Sequence, residues 1–150
     1  PHGVYLVQGD VDTAERWEHI VPPNVTVLAD DVVVLRIRDR VVHLGGTRLD
    51  VSSAGAESVR DQLASTERGL TVLMSHRPDT VLYLPTDSGV DLTVAGHTHG
   101  GQVALPFFGP PLTLSQVPRD VGAGGLHEVD RNPIYVSTGV GMERGQAPQV

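Results

Sequence analysis

Two histidines stand one residue apart between glycines in Gly96-His97-Thr98-His99-Gly100-Gly101-Gln102, directly after the apolar run at residues 92–95. Imidazole is the commonest metal ligand among neutral side chains, and glycines permit the kink that aims two neighbouring rings at one region. Read alone, the same residues also make an ordinary solvated loop. Two other polar segments follow apolar runs in the same way: Gly9-Asp10-Val11-Asp12 after residues 4–7, and Ser75-His76-Arg77-Pro78-Asp79 after residues 70–74. Asp10, Asp12, His76, His97 and His99 together make an oxygen and nitrogen donor set, which suits Zn, Mn or Fe and not a soft-metal site. The chemistry open to such a set is metal-assisted activation of water.

These residues need strands to carry them. Runs 4–7, 70–74 and 92–95 are short, apolar and β-rich, as expected of buried strands that deliver polar residues at their carboxyl ends, the place where open α/β sheets build sites. Runs 25–28, 32–37 and 41–44 predict a small antiparallel section, with Arg38-Asp39-Arg40 as a hairpin turn and 45–50 as a loop. Asp12 followed by Glu15 has capping-box spacing, and Ala14, Trp17 and Ile20 share one face, which predicts a helix ended by Pro22-Pro23. Residues 58–66 read as a second helix closed before Gly69, and residues 80–84 as a weak helical segment. Trp17 reads as a packing residue, and His43 as a surface or core residue rather than a ligand. Beyond Gln102 the glycines and prolines predict ordered loops with short strands at 126–129 and 134–137.

The 150 residues match one domain, without an internal repeat. Eighteen acidic against eleven basic residues give a net charge of -7, and without a Lys/Arg cluster there is no phosphate-backbone track for nucleic acid. The absence of cysteine removes disulfides, thiolate metal sites and cysteine nucleophiles together. No run approaches the roughly 20 apolar residues of a membrane helix. The chain opens on Pro1-His2-Gly3 and enters a strand almost at once, as a piece of a longer protein would. Membrane association is expected only through an upstream segment. Compartment stays open between cytoplasmic and peripheral to the membrane.

In these segments the chain resembles the calcineurin-like metallophosphoesterases, in particular their bacterial phosphodiesterase branch. The family's Gly-Asn-His-Asp turn corresponds to Gly9-Asp10-Val11-Asp12, its Ser-His-x-Pro-Asp segment to Ser75 through Asp79, and its Gly-His-Thr-His-Gly-Gly-Gln signature to Gly96 through Gln102. Leu105-Pro106-Phe107-Phe108-Gly109 and residues 134–141 also look like that branch. The resemblance implies an α/β sandwich of two β-sheets flanked by helices, incomplete here at both ends, so that 1–150 is a partial domain. It implies two divalent ions (Mn, Zn or Fe) and water attack on a phosphoester, either a small molecule or a lipid-linked phosphate. It places Asp10, His76 and His97 on one metal and His99 on the other, with Asp12 orienting the turn behind them.

Two departures accompany the resemblance. The family's upstream Asp-x-His and Gly-Asp-x-x-Asp segments, which supply the remaining ligands, have no counterpart in this chain. Val11 stands where the family has a histidine able to protonate a leaving group, so no catalytic residue is assigned there. The leading reading is a phosphoesterase whose later part is this chain, the fragment alone being inactive. The competing readings are a catalytically degenerate metal-binding or regulatory module of the same fold, and a mononuclear zinc hydrolase built on the three histidines.

Overall fold

The computed structural model describes residues 2–12, 21–49, 53–64, 68–101 and 113–139. Their main body is a six-stranded mixed sheet in the order β3-β4-β5-β6-β8-β7, formed by β3 (Asp31–Ile37), β4 (Arg40–Gly46), β5 (Leu70–Met74), β6 (Leu92–Ala95), β7 (Gly125–Val129) and β8 (Asn132–Val136). The four inner strands run parallel, and the edge strands β3 and β7 pair antiparallel with β4 and β8. A second, two-stranded parallel sheet joins β1 (Val4–Leu6) to β2 (Val25–Val27). Helix α1 (Ser53–Ala64) packs on β3 and β4, and a short helix α2 (Arg119–Gly122) precedes β7. The chain is thus α/β, with two sheets and outer helices, as a metallophosphoesterase sandwich requires.

Periodicity explains the elements. Along β8, Asn132, Ile134 and Val136 are buried while Tyr135 faces out, the period of two that a half-buried strand demands. On α1, Ala56, Val59 and Leu63 are the buried positions, at helical spacing. Val59 and Leu63 join Leu73, Val81, Leu84, Ala95, Ile134 and Val136 in one core between the helix side and the sheet. Each fully buried aliphatic side chain of this kind contributes about 1.5–3 kcal/mol relative to exposure.

Several boundaries differ from expectation. The run at 25–27 belongs to the small parallel sheet beside β1, not to the antiparallel section, which consists of β3 and β4 alone. Gly45 and Gly46, expected in a loop, continue β4. A Cβ at Gly45 would lie 2.5 Å from Val59 of α1, and one at Gly46 only 2.3 Å from Leu28 and 2.9 Å from Val7. These glycines are strand positions where helix and small sheet press onto the backbone. The contact at Gly46 also sets the small sheet against the large one, helped by the 2.8 Å bond from Asp30 N–H to Gly46 O, while Leu28 N–H bonds to Leu6 O at 2.8 Å and extends the small sheet's own ladder. Helix α1 begins at Ser53 rather than near 58, and the segment at 80–84 is a 3₁₀ helix over Pro78–Tyr83. His43 is a core residue. The expected helix with Trp17 and the Leu105–Gly109 motif lie outside the described residues.

Candidate metal centre

Three chain segments converge at the carboxyl ends of β1, β5 and β6. Beyond β1 the chain turns at Gly9, where Asp12 N–H bonds back to Gly9 O at 3.2 Å and the Asp12 carboxylate accepts from Gly9 N–H at 2.9 Å. Gln8 donates to the Asp12 carbonyl at 2.7 Å, so the turn is held from both sides and Asp10 projects from its apex. Beyond β5, Ser75 N–H is bonded to Val94 O and Gly96 N–H to His76 O, at 3.0 and 3.1 Å, which carries the sheet ladder one step past the strand ends. His76 and His97 therefore emerge side by side.

The turn after β6 is tightly wound. Thr98 N–H bonds to Gly96 O and Gly101 N–H to Thr98 O, each at 2.8 Å. His97 and His99 both take positive φ, 70° and 49°, followed by Gly100 at 66° and Gly101 at 78°. For a side-chain-bearing residue this region costs about 1–2 kcal/mol, and such outliers concentrate at functional sites. The expected kink is present, and it falls on the histidines themselves as well as on the glycines.

The result is a triangle of three side chains. Asp10 Oδ1 lies 3.0 Å from His76 Nε2, Asp10 Oδ2 lies 3.1 Å from His97 Nδ1, and the two ring nitrogens are 3.1 Å apart. The rings meet edge to face at 67°. Ligand atoms about 2.1 Å from an octahedral ion are about 3.0 Å from their neighbours, which is the separation of each ring nitrogen from the carboxylate oxygen it faces and of the two nitrogens from each other. Two ring nitrogens aimed at the same carboxylate and at each other cannot both carry a proton without setting two N–H groups head to head. Lone pairs converging on a cation relieve that conflict, and the donor chemistry fits a divalent ion.

Electrostatics favour the ligand forms. Partial burial pushes the Asp10 carboxyl upward, but the attraction of His76 and His97, the hydrogen bond to His76 and the charge of Arg77 outweigh it and hold the group below the usual carboxylate value. Burial pushes His76 below the ordinary histidine value; the Asp10 charge and hydrogen bond oppose this, while His97 and Arg77 add to it. At neutral pH Asp10 offers an anionic oxygen and His76 a neutral ring nitrogen, the forms that metal binding requires.

Among the described residues, the group of metal-capable side chains within reach of one another comprises Asp10, His76 and His97. Two of the other expected residues do not enter it. His99 sits at the start of the 3₁₀ turn His99–Gly101, outside this triangle, and Asp12 lies behind Asp10, bonded to the backbone of Gly9. Val11, 65% exposed, puts an aliphatic side chain on the turn between the two aspartates.

Two further features border these side chains, of which Arg77 reads in the sequence either as a solvated arginine or as a contact to a substrate phosphate. Arg77 Nη2 lies 3.7 Å from Asp10 Oδ2. Buried Asp79 accepts from Gln116 N–H at 2.6 Å and from the Ser115 hydroxyl at 2.9 Å, tying the segment before α2 to the tip of β5. Between these segments opens a cavity of about 630 Å³ lined by Asp10, Leu49, Arg77, Asp79, Tyr83 and Leu114, with Ser115 and Gln116. The His-Arg-Pro-Asp string marks the tip, but only the fold brings residues 114–116 over it.

Comparison with known proteins finds relatives named as phosphoesterases. The chain is 30% identical over 128 residues to the phosphodiesterase YaeI of Escherichia coli, covering 85% of this chain and 45% of that protein. It is 40% identical over 79 residues to the metallophosphoesterase YkuE of Bacillus subtilis, 53% of this chain and 27% of that protein. A third relative, the UDP-2,3-diacylglucosamine pyrophosphatase LpxG of Chlamydia muridarum, is 36% identical over 76 residues, 47% of this chain and 23% of that protein. The chain thus spans less than half the length of these relatives. No family model and no solved structure matches it. With strand tips, donor triangle and relatives in agreement, the chain belongs to the calcineurin-like metallophosphoesterase family.

Proposed function

We propose that the protein hydrolyses phosphoesters, and that Asp10, His76 and His97 hold one divalent ion of a dinuclear site to which His99 contributes the second ion's ligand. The observation that carries this reading is the convergence of Asp10, His76 and His97, whose two carboxylate oxygens each face one ring nitrogen at 3.0–3.1 Å while the nitrogens lie 3.1 Å apart. Bound there, a divalent ion would polarise phosphoryl oxygens and acidify water for in-line attack at phosphorus. The chain's own residues have separate tasks. Asp10 supplies the anionic oxygen, His76 and His97 supply neutral nitrogens, and Asp12 fixes the turn that aims Asp10. The names of two relatives, a phosphodiesterase and a sugar-nucleotide pyrophosphatase, favour a phosphodiester or a lipid-linked phosphate as substrate. The domain is proposed to extend beyond this chain, whose 150 residues alone would show little turnover.

Exposed Val11 favours a second reading, in which the site binds metal without efficient turnover. General acid help is worth about 10²- to 10⁴-fold, and valine offers no proton. The test is hydrolysis by the natural protein, with Mn²⁺, of one phosphodiester with a good leaving group and one with a poor leaving group. Activity on the first, lost in His97→Ala, supports the enzyme; none on either supports the binding module. In an active protein, Val11→His is expected to raise turnover on the poor leaving group alone.

A further inference from the structure

Arg77 is the cationic side chain nearest the donor triangle among the described residues, and its position is unfavourable for a metal site taken by itself. Its guanidinium, 44% exposed, faces the same Asp10 oxygen that lies 3.1 Å from His97. A cation held by the triangle and the guanidinium would repel each other across a few ångströms. An arginine kept there gains from an anion that both positive charges can share. The geometry supplies room for one: Arg77 and Asp10 line the same cavity of about 630 Å³.

The two carboxylates at this cavity do not cancel the role. Asp10 is committed to the imidazoles, and buried Asp79 is occupied by Gln116 N–H and the Ser115 hydroxyl. The Arg77–Asp10 contact is 3.7 Å, too long for a hydrogen bond, so an entering anion displaces no bond from the guanidinium. Guanidinium is also the side chain best shaped to hold two oxygens of one phosphate. Leu49, Tyr83 and Leu114 give the far wall apolar surface for an organic group.

We propose that Arg77 binds the phosphoryl oxygens of the substrate, opposite the metal held by Asp10, His76 and His97, and that the cavity roofed by Leu114, Ser115 and Gln116 receives the organic group of the ester. This rests on the phosphoesterase reading for the metal but assigns the anion subsite to a residue of its own. Arg77 acts in two directions at once. It weakens cation binding by repulsion and strengthens phosphate binding by attraction.

That opposition gives a test that a merely structural role does not mimic. Calorimetric titrations of Mn²⁺, and then of inorganic phosphate with and without Mn²⁺, are run on the chain, on Arg77→Ala and on Arg77→Lys. Arg77→Ala is expected to bind Mn²⁺ at least as tightly as the parent, and phosphate about tenfold or more weakly. Arg77→Lys should recover part of the phosphate affinity. Phosphate affinity unchanged in Arg77→Ala, no phosphate binding by the parent, or parallel loss of Mn²⁺ and phosphate affinity would each overturn the assignment. If the parent binds no Mn²⁺, the metal reading fails separately. Arg77 is then judged on phosphate alone, where a loss in Arg77→Ala supports it and equal affinity rejects it.

Discussion

Asp10 places a negative charge beside His76, whose ring burial and the neighbouring His97 and Arg77 hold toward the neutral form. The pH response follows from the directions of the shifts. His76 has its folded-state pKa below the ordinary value of about 6.5, so its neutral form is favoured by folding. The stability it contributes is complete above about 6.5 and is lost as pH falls through the lowered folded value. Asp10 follows the same sign in the carboxylate range: its contribution is present above the unfolded value and lost as pH falls through the folded one. Mn²⁺ affinity is therefore expected to stay level from pH 7.5 to about 6.5 and to drop only below that, as protons begin to compete for His76. A titration of affinity against pH checks this. A midpoint above about 6.5 would contradict the direction assigned to His76.

At the scale of elements, the site depends on how closely strands, helix and small sheet approach. Gly46 is the tightest of these contacts, with Leu28 and Val7 standing where a side chain would begin. Gly46→Ala is expected to cost about 1–3 kcal/mol by overpacking and to loosen the small sheet that carries Asp10. Urea unfolding measures the first effect, and weaker Mn²⁺ binding the second. The strands at 70–74 and 92–95 were legible from sequence to the residue, because a continuous apolar run bounded by polar turns has one reading. Gly45 and Gly46 were not, since glycine usually punctuates a strand and only the packing of Val59, Leu28 and Val7 reveals why it continues. The early start of α1 was hidden in the same way: Gly55 in its first turn weakens the local helix signal, and burial of Ala56 beside Val59 and Leu63 overrides it.

Across the whole molecule, three residues far apart in sequence meet because parallel strands end on one side. Asp10, His76 and His97 were legible as candidates because each follows an apolar run, and the strand ends bring the three side chains together. The pairing of β2 with β1, which separates a small sheet from the large one, was not legible, since alternation in a strand does not name its partner. Nor was the cavity, which needs residues 114–116 laid over the tip at Arg77 and Asp79. The central claim is that the triangle, formed without disulfides in an acidic chain, holds a divalent cation. A calorimetric titration of Mn²⁺ into the chain tests it most directly, alongside His97→Ala. Saturable binding in the parent, lost in His97→Ala while the variant stays folded by circular dichroism, is the predicted result. Binding of equal strength in both proteins, or in neither, would contradict it.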